Sequence, residues 1–532
     1  MHKTAVGYAI GKLMQLMGAA LLVPFGIAVY DNRSLQILEL LSVSEIFGFI
    51  LAIIISVVIG TVLVILCRGG RDLQGIREGY AIVTIGWFAL AFLASIPLFF
   101  YFVTVRGGDP AGIFLSFTNA YFEVMSGFTT TGASILSNVE AMPRSLLFLR
   151  ALTHWLGGMG IITLAMVIFP AMGVSGYQMF RGEVPGPTKD RLRPRLAQTA
   201  SVLWGVYLLL SVVEILLLLV GGMDLFDAVC HTFATMATGG FSTKNASIAA
   251  YNSDFIQWVI IIFMYFAGIN FLLHFRALRG DLNSLVKNKE FVFYTSVIIT
   301  TIIIITCVLY IHGLAPEESA ADHFRASEMT TTEFHTHYVE QNSMIEGLYD
   351  TFRVASFQTL AIVTTTGFTT VDFDLWPDFL RFLLLLLMFF GGCAGSTGGG
   401  MKMIRIMIVG RVAFNELRKL TQPRLVSPVK VGNETIDEPR IVNVVSFFIL
   451  FVGLFVITVV LMTLFVPDLT TAIACSAATI ANIGPGLAGI GAVENYGWIP
   501  IPGKWVLIFS MLLGRLEIFT VLIILRPAVW RK

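Results

Sequence analysis

Four short runs of small and hydroxyl residues are the part of this 532-residue sequence best suited to chemistry. They read Thr129-Thr130-Thr131-Gly132-Ala133-Ser134, Ala237-Thr238-Gly239-Gly240-Phe241-Ser242, Thr364-Thr365-Thr366-Gly367-Phe368-Thr369 and Ala481-Asn482-Ile483-Gly484-Pro485-Gly486. With Gly132, Gly240, Gly367 and Gly484 taken as equivalent, the steps between them are 108, 127 and 117 residues. Such runs suit a dehydrated monovalent cation, which needs several oxygen ligands at once. Backbone carbonyls supply them without full charge, so the ion can also leave. Aiming carbonyls at one axis needs left-handed or strained backbone, which glycine permits, and threonine adds a hydroxyl ligand or a brace. One such run alone would read as a helix contact through small residues. Four regular copies make internal repetition the governing feature.

Each run follows a short, half-apolar stretch, at about 111–127, 225–237, 345–363 and 468–481. Stretches of this length are too short to cross a bilayer and are more often buried or re-entrant. Their starts carry helix N-cap signals: Asp109-Pro110, Asp224, Ser343 with Glu346 at capping-box spacing, and Pro467-Asp468. The pattern predicts four short helices whose C-termini, the negative ends of their dipoles, face the ion. Irregular backbone at membrane depth is tolerated only where it lines a wet cavity or is buried in protein.

The rest of the chain supplies the membrane. Hydrophobic residues make up 56% and charged residues 13%, whereas a soluble domain is about a quarter charged. Ten long apolar segments, at about 7–30, 46–67, 80–103, 147–172, 199–221, 254–275, 292–313, 379–410, 439–466 and 504–527, are candidate spans. The first, with its basic start, reads as a membrane helix rather than a signal peptide, because no clear small-residue cleavage site follows. Basic residues gather after the second span (Arg68, Arg71, Arg77), the fourth (Arg181, Lys189, Arg191, Arg193, Arg195), the sixth (Arg276, Arg279, Lys287, Lys289) and the eighth (Arg411, Arg418, Lys419, Arg424), and in the tail (Arg526, Arg531, Lys532). The positive-inside rule makes these loops and both termini cytoplasmic. All four short stretches then dip in from outside, where the 314–344 loop is acid-rich; Arg106 and Lys244 run against the trend as isolated cases.

The expected architecture is an all-α polytopic membrane protein. Four pseudo-symmetric helix–pore loop–helix repeats, at 79–198, 199–290, 291–437 and 438–532, surround one pore, and a two-helix extension at 1–78 precedes them. A net charge of +1 gives no electrostatic pull toward nucleic acid. Five scattered cysteines form neither a disulfide framework nor a zinc pattern. His154, His231 and His274 read as packing or interface residues. Paired carboxylates, a metal cluster and a nucleophile constellation are all missing from any shared site, which argues against an enzyme.

Two further features invite function. The apolar helix Leu384 to Phe390 runs into Gly391-Gly392-Cys393-Ala394-Gly395-Ser396-Thr397-Gly398-Gly399-Gly400, followed by Lys402. Such a run breaks a helix at roughly 1 kcal/mol per glycine against alanine; the other reading is a close helix contact. Arg515 lies within the last apolar span, two residues before Glu517. An intramembrane charge is a functional hypothesis by default, with a structural ion pair as the alternative.

Together these residues resemble the TrkH/TrkG branch of the potassium transporter superfamily, related to KtrB and to the plant and fungal Trk/HKT proteins. The resemblance rests on the glycine motifs, from Ser126-Gly127-Phe128-Thr129 in the first repeat to Pro485-Gly486 in the last, and covers almost the whole chain. The two spans before the first repeat favour this branch over KtrB. It implies a potassium selectivity filter at Thr130, Thr131, Gly132; Thr238, Gly239, Gly240; Thr365, Thr366, Gly367; and Asn482, Ile483, Gly484. Related sodium-conducting members carry serine at the place of Gly132, so its presence implies potassium preference. The resemblance also implies a gate made of Gly391, Gly392, Ala394, Gly395, Ser396, Thr397, Gly398, Gly399, Gly400, Lys402 and Arg515. It implies a bacterial cytoplasmic-membrane location with lipid contacts, a homodimer, and a cytosolic nucleotide-binding regulatory subunit of the TrkA type. No cofactor is implied on this chain, and potassium is the substrate. Obligate symport of potassium with protons or sodium remains the alternative to gated conduction.

Overall fold

The computed structural model describes the chain except residues 37–38, 40–41, 71–75, 107–109, 161–195, 315–338, 344, 423–427, 433, 517, 525 and 531–532. Arg71, Asp109, Arg181, Lys189, Arg191, Arg193, Arg195, Glu317, Glu318, Asp322, Glu328, Glu333, Arg424, Glu517, Arg531 and Lys532 therefore lie outside the described residues. The fold is nearly all helix. Among the described residues one two-residue hairpin pairs Lys430–Val431 with Glu434–Thr435.

In hydrocarbon every backbone polar group must be satisfied within the segment, so apolar runs become helices whatever their intrinsic preference. Ser44–Leu66, rich in isoleucine and valine, shows this. It lines up with Lys3–Asp31 as an antechamber of two helices. The two cross closely at glycine: a methyl on Gly11 would sit 2.7 Å from the Gly60 carbonyl oxygen, and one on Gly60 2.8 Å from that of Gly11. Small residues are what let membrane helices approach to backbone contact.

The remaining chain repeats one unit four times: a crossing helix, a short buried helix, an irregular turn, and a returning helix. The crossing helices are Ile76–Arg106, Leu196–Val220, Lys289–His312 and Glu438–Met462. The short helices are Pro110–Phe128, Leu225–Ala237, Leu348–Val363 and Leu469–Ile480, within three residues of the predicted stretches. Asp224 caps the second through the Phe226 N–H at 3.0 Å, and Asp468 caps the fourth through Thr471 at 2.7 Å. The capping box expected from Ser343 and Glu346 does not form. The third helix starts after Gly347 with no side-chain cap, and Ser343 instead donates to the Glu340 carbonyl.

The returning elements depart from ten continuous spans, and of their breaks only the one at the glycine run of the third is expected from the sequence. Six helices among the described residues are long and apolar enough to cross a membrane. The second return is broken between Asp254–Ala267 and Phe271–Leu278, with a bend of 104°. The third stops at Leu387 and resumes at Met403. The fourth breaks after Arg515 and resumes at Ile518. The first runs as Arg144–Gly158, and residues 161–172 of the predicted 147–172 span lie outside the described residues. Hydropathy reports how much apolar chain is present, not whether glycine and polar residues interrupt its ladder.

Candidate functional site

Each short helix ends in the same way. Thr130, Thr238, Thr365 and Asn482 adopt left-handed backbone, with φ of 51°, 56°, 61° and 57°. In the first repeat the Thr130 N–H bonds the Gly127 carbonyl at 3.0 Å and the Thr131 N–H that of Ser126 at 2.9 Å. The same pair recurs as Thr238 to Thr235 and Gly239 to Ala234, Thr365 to Ile362 and Thr366 to Ala361, and Asn482 to Thr479 and Ile483 to Ala478. This is the Schellman ending, for which glycine is the usual left-handed residue. Threonine there is strained, because its β-branch crowds the backbone. Such strain costs on the order of 1–3 kcal/mol per residue and clusters at functional sites. Left-handed backbone recurs at all four equivalent positions, carried by threonine at three and by the more tolerant asparagine at the fourth.

Two residues on, Gly132, Gly240, Gly367 and Gly484 are again left-handed, at φ 78°, 79°, 77° and 99°. Their surroundings close a ring. A methyl on Gly132 would fall on the Gly239 carbonyl oxygen, one on Gly240 on that of Thr366, and one on Gly367 on that of Ile483. A methyl on Gly484 would lie 2.6 Å from the Thr131 carbonyl oxygen. The four turns thus meet around one axis in chain order, and the last returns to the first. All twelve residues singled out from the runs lie in these turns. Twofold bracing fixes their backs: Thr129 and Thr131 hydroxyls pair at 2.8 Å, as do those of Thr364 and Thr366. Where the fourth repeat lacks that pair, Asn482 Nδ2 donates to Thr131 Oγ1 and to the Met511 carbonyl, each at 2.9 Å.

Residues outside the motifs hold the ring from behind. Glu123 and Arg150 form a buried ion pair at 2.8 Å. Glu123 also accepts from Ser134 Oγ and the Ile135 N–H, each at 2.9 Å, while Arg150 donates to the Ser242 carbonyl at 3.1 Å and stacks on Phe241. One pair thereby ties the first turn to the second. His154 accepts from the Phe241 N–H through Nε2 at 3.2 Å, so its Nδ1 is the donor to Gly127 O at 2.9 Å. His231 bonds the Asp227 carbonyl and Ser242 Oγ, and His274 the Phe266 carbonyl. Tyr496 donates to the Gly484 carbonyl at 2.6 Å. Sequence reading missed Glu123, Arg150 and Tyr496. The available signal was two charges inside apolar segments, where ionisable groups are expensive.

On the side of the ring toward the short helices' C-termini lies the segment from Gly391 to Lys402. Its ends are joined by a bridge between Phe390 and Met401, with Gly391 N donating to Met401 O at 2.9 Å. Its near arm docks on the break in the second return: Cys393 N donates to Gly268 O at 2.8 Å, Phe271 N to Gly395 O at 3.0 Å, and Gly395, at φ 77°, packs on Asn270. Glu290 holds the base, accepting from Ala394 N at 2.7 Å and Ile404 N at 3.1 Å. Thr397 Oγ1 donates to the Met236 carbonyl at 2.9 Å, and Gly399 abuts the Ala481 carbonyl. Lys402, buried, donates to Gly398 O and to Ser396 Oγ. Arg515 donates to Thr397 O at 2.8 Å, Gly157 O at 2.7 Å and Gly158 O at 3.0 Å. The loop and Arg515 are thus one assembly beneath the ring.

On the opposite side, outside the spans, Asp374 accepts from Ala488 N at 3.1 Å and pairs with Arg381 at 3.3 Å, joining the third repeat to the fourth. Burial, and then the charge of Asp372, raise its carboxyl to about 7 despite Arg381.

Comparison with known proteins matches residues 45–532 to the family model described as TrkH, cation transport protein. The chain is 36% identical over 535 residues to the Trk system potassium uptake protein TrkH of Escherichia coli K12, covering all of both chains. It is 30% identical to that organism's TrkG, covering 100% of this chain and 99% of TrkG. Among solved structures, the crystal structure of the potassium transporter TrkH from Vibrio parahaemolyticus superposes with a TM-score of 0.80 at 32% identity, covering both chains fully.

Proposed function

Because the chain belongs to the TrkH family of cation transport proteins, we propose that it takes up potassium by gated conduction through the ring of four turns. The observation that carries this is the closed ring itself: four carbonyl-lined, left-handed turns abut in cyclic order. Carbonyls so placed replace a cation's water shell while leaving it free to move on. In this reading Thr130, Thr131, Gly132, Thr238, Gly239, Gly240, Thr365, Thr366, Gly367, Asn482, Ile483 and Gly484 form the filter. Gly391, Gly392, Ala394, Gly395, Ser396, Thr397, Gly398, Gly399, Gly400, Lys402 and Arg515 form the gate. The relatives, named as potassium uptake proteins, support the choice of ion.

The reading extends to the cell. The basic loops face the cytoplasm, as do both termini, and the repeats run 79–198, 199–290, 291–437 and 438–532 after the 1–78 extension. The protein works as a homodimer with a nucleotide-binding regulatory subunit on its cytoplasmic face; the Trk system names of the relatives support a partner. The purified protein in lipid vesicles tests the core. Potassium-driven flux at clamped potential, independent of pH, is expected. A fixed proton or sodium stoichiometry would replace conduction with symport, and absence of potassium flux would overturn the proposal.

A further inference from the structure

The four left-handed residues occupy one place in each repeat, yet their side-chain oxygens differ in partnership. Thr130 Oγ1 and Asn482 Oδ1 are fully buried without a hydrogen-bond partner. Thr238 donates to the carbonyl of its own neighbour Ala237 at 2.5 Å. Thr365 Oγ1 accepts the backbone N–H of Gly399 at 2.6 Å. The contact is narrowly built: a methyl on Gly399 would fall on the Ala481 carbonyl, and one on Gly398 would lie 3.1 Å from that of Thr364. Glycine lets the loop backbone come this close.

We propose that Thr365 is a positioning residue that couples loop to ring. With the loop seated, the Gly399 N–H takes the oxygen that Thr365 would otherwise offer to a cation at the inner end of the ring. It also presents the positive end of an amide dipole where that cation would sit. Closure then removes a ligand as well as obstructing a path. This rests on the filter and gate reading above. The coupling is reciprocal: a potassium ion at the inner end competes with Gly399 for one oxygen, so potassium itself favours the unseated loop.

Rubidium efflux from vesicles holding the full chain alone tests this. Thr365→Val loses the same ring oxygen as Thr130→Val and, in addition, one hydrogen bond to the seated loop, so its basal efflux should exceed that of Thr130→Val about 2- to 12-fold. Thr365→Ser keeps the hydroxyl and should rescue the low basal rate. Thr130→Val, at the equivalent place without a loop bond, should lower efflux. Basal efflux no higher in Thr365→Val than in Thr130→Val overturns the coupling. Potassium-over-sodium selectivity in the same vesicles separates the premises. Unaltered selectivity in both valine variants defeats the filter reading, and altered selectivity with equal basal efflux in the two variants defeats the coupling alone. If Thr365→Val does not assemble, amide hydrogen exchange at Gly399 in the unaltered protein decides. Protection that falls as potassium rises supports the proposal, and protection indifferent to potassium overturns it.

Discussion

Gly132 concentrates the chemistry of the ring in one missing side chain. Its φ of 78° and the Gly239 carbonyl beside it leave no room for a Cβ. Gly132→Ser should therefore push neighbouring carbonyls off the axis and lower potassium-over-sodium permeability, measured as reversal potential in a planar bilayer; an unchanged ratio would count against the filter. Asp374 gives a prediction in pH. Its carboxyl is raised above its unfolded value, so the neutral form is favoured by folding. The stability this group contributes is complete below the ordinary aspartate range and is lost as pH rises through about 7. Thermal stability in detergent should decline across that interval. Asp372→Asn, which removes the second cause, should make the decline shallower. At this scale the glycines were legible because four copies repeat, whereas the left-handed threonines were not. Nothing in a Thr-Thr-Thr-Gly run says which threonine carries the strain, since that depends on where the helix ends.

Elements carry the second set of expectations. Arg515 ties the loop to the first return, with one bond to Thr397 O on the loop and two to Gly157 O and Gly158 O on the return. Arg515→Ala should raise basal flux about ten-fold or more, since bonds from a charged donor are worth roughly 1.5–3 kcal/mol each. Flux that stays low in a folded variant would leave the loop without its clasp. Glu123→Gln leaves Arg150 as an uncompensated buried charge and should cost about 3–5 kcal/mol, read as lost thermal stability. A second change, Arg150→Met, should recover part of it. Breaks in the returning helices were legible where glycine is dense, at Gly391–Gly400, and illegible at Gly268–Asn270. There a single glycine and an asparagine cap, with Asn270 accepting from Leu272 N at 2.8 Å, turn the chain by 104°. Short helices were legible because length separates them from spans. The Ser343 capping box misled because its spacing is satisfied by sequence while the helix starts four residues later.

For the whole molecule, topology is the quantity the basic loops set. Cysteine introduced as Glu416→Cys should react with an impermeant maleimide only after the membrane is opened, and Asn245→Cys from outside intact cells; the opposite pattern would invert the orientation. The order of repeats around the axis follows the order of the chain, so one seam differs from the other three. Asn482 meets Thr131 across 351 positions of sequence. A ribosome must deliver nearly the entire polypeptide before that seam can be sewn. Until then the first turn has no fourth turn to close against. The circle is therefore the last thing to form, completed in a single step when the fourth repeat arrives.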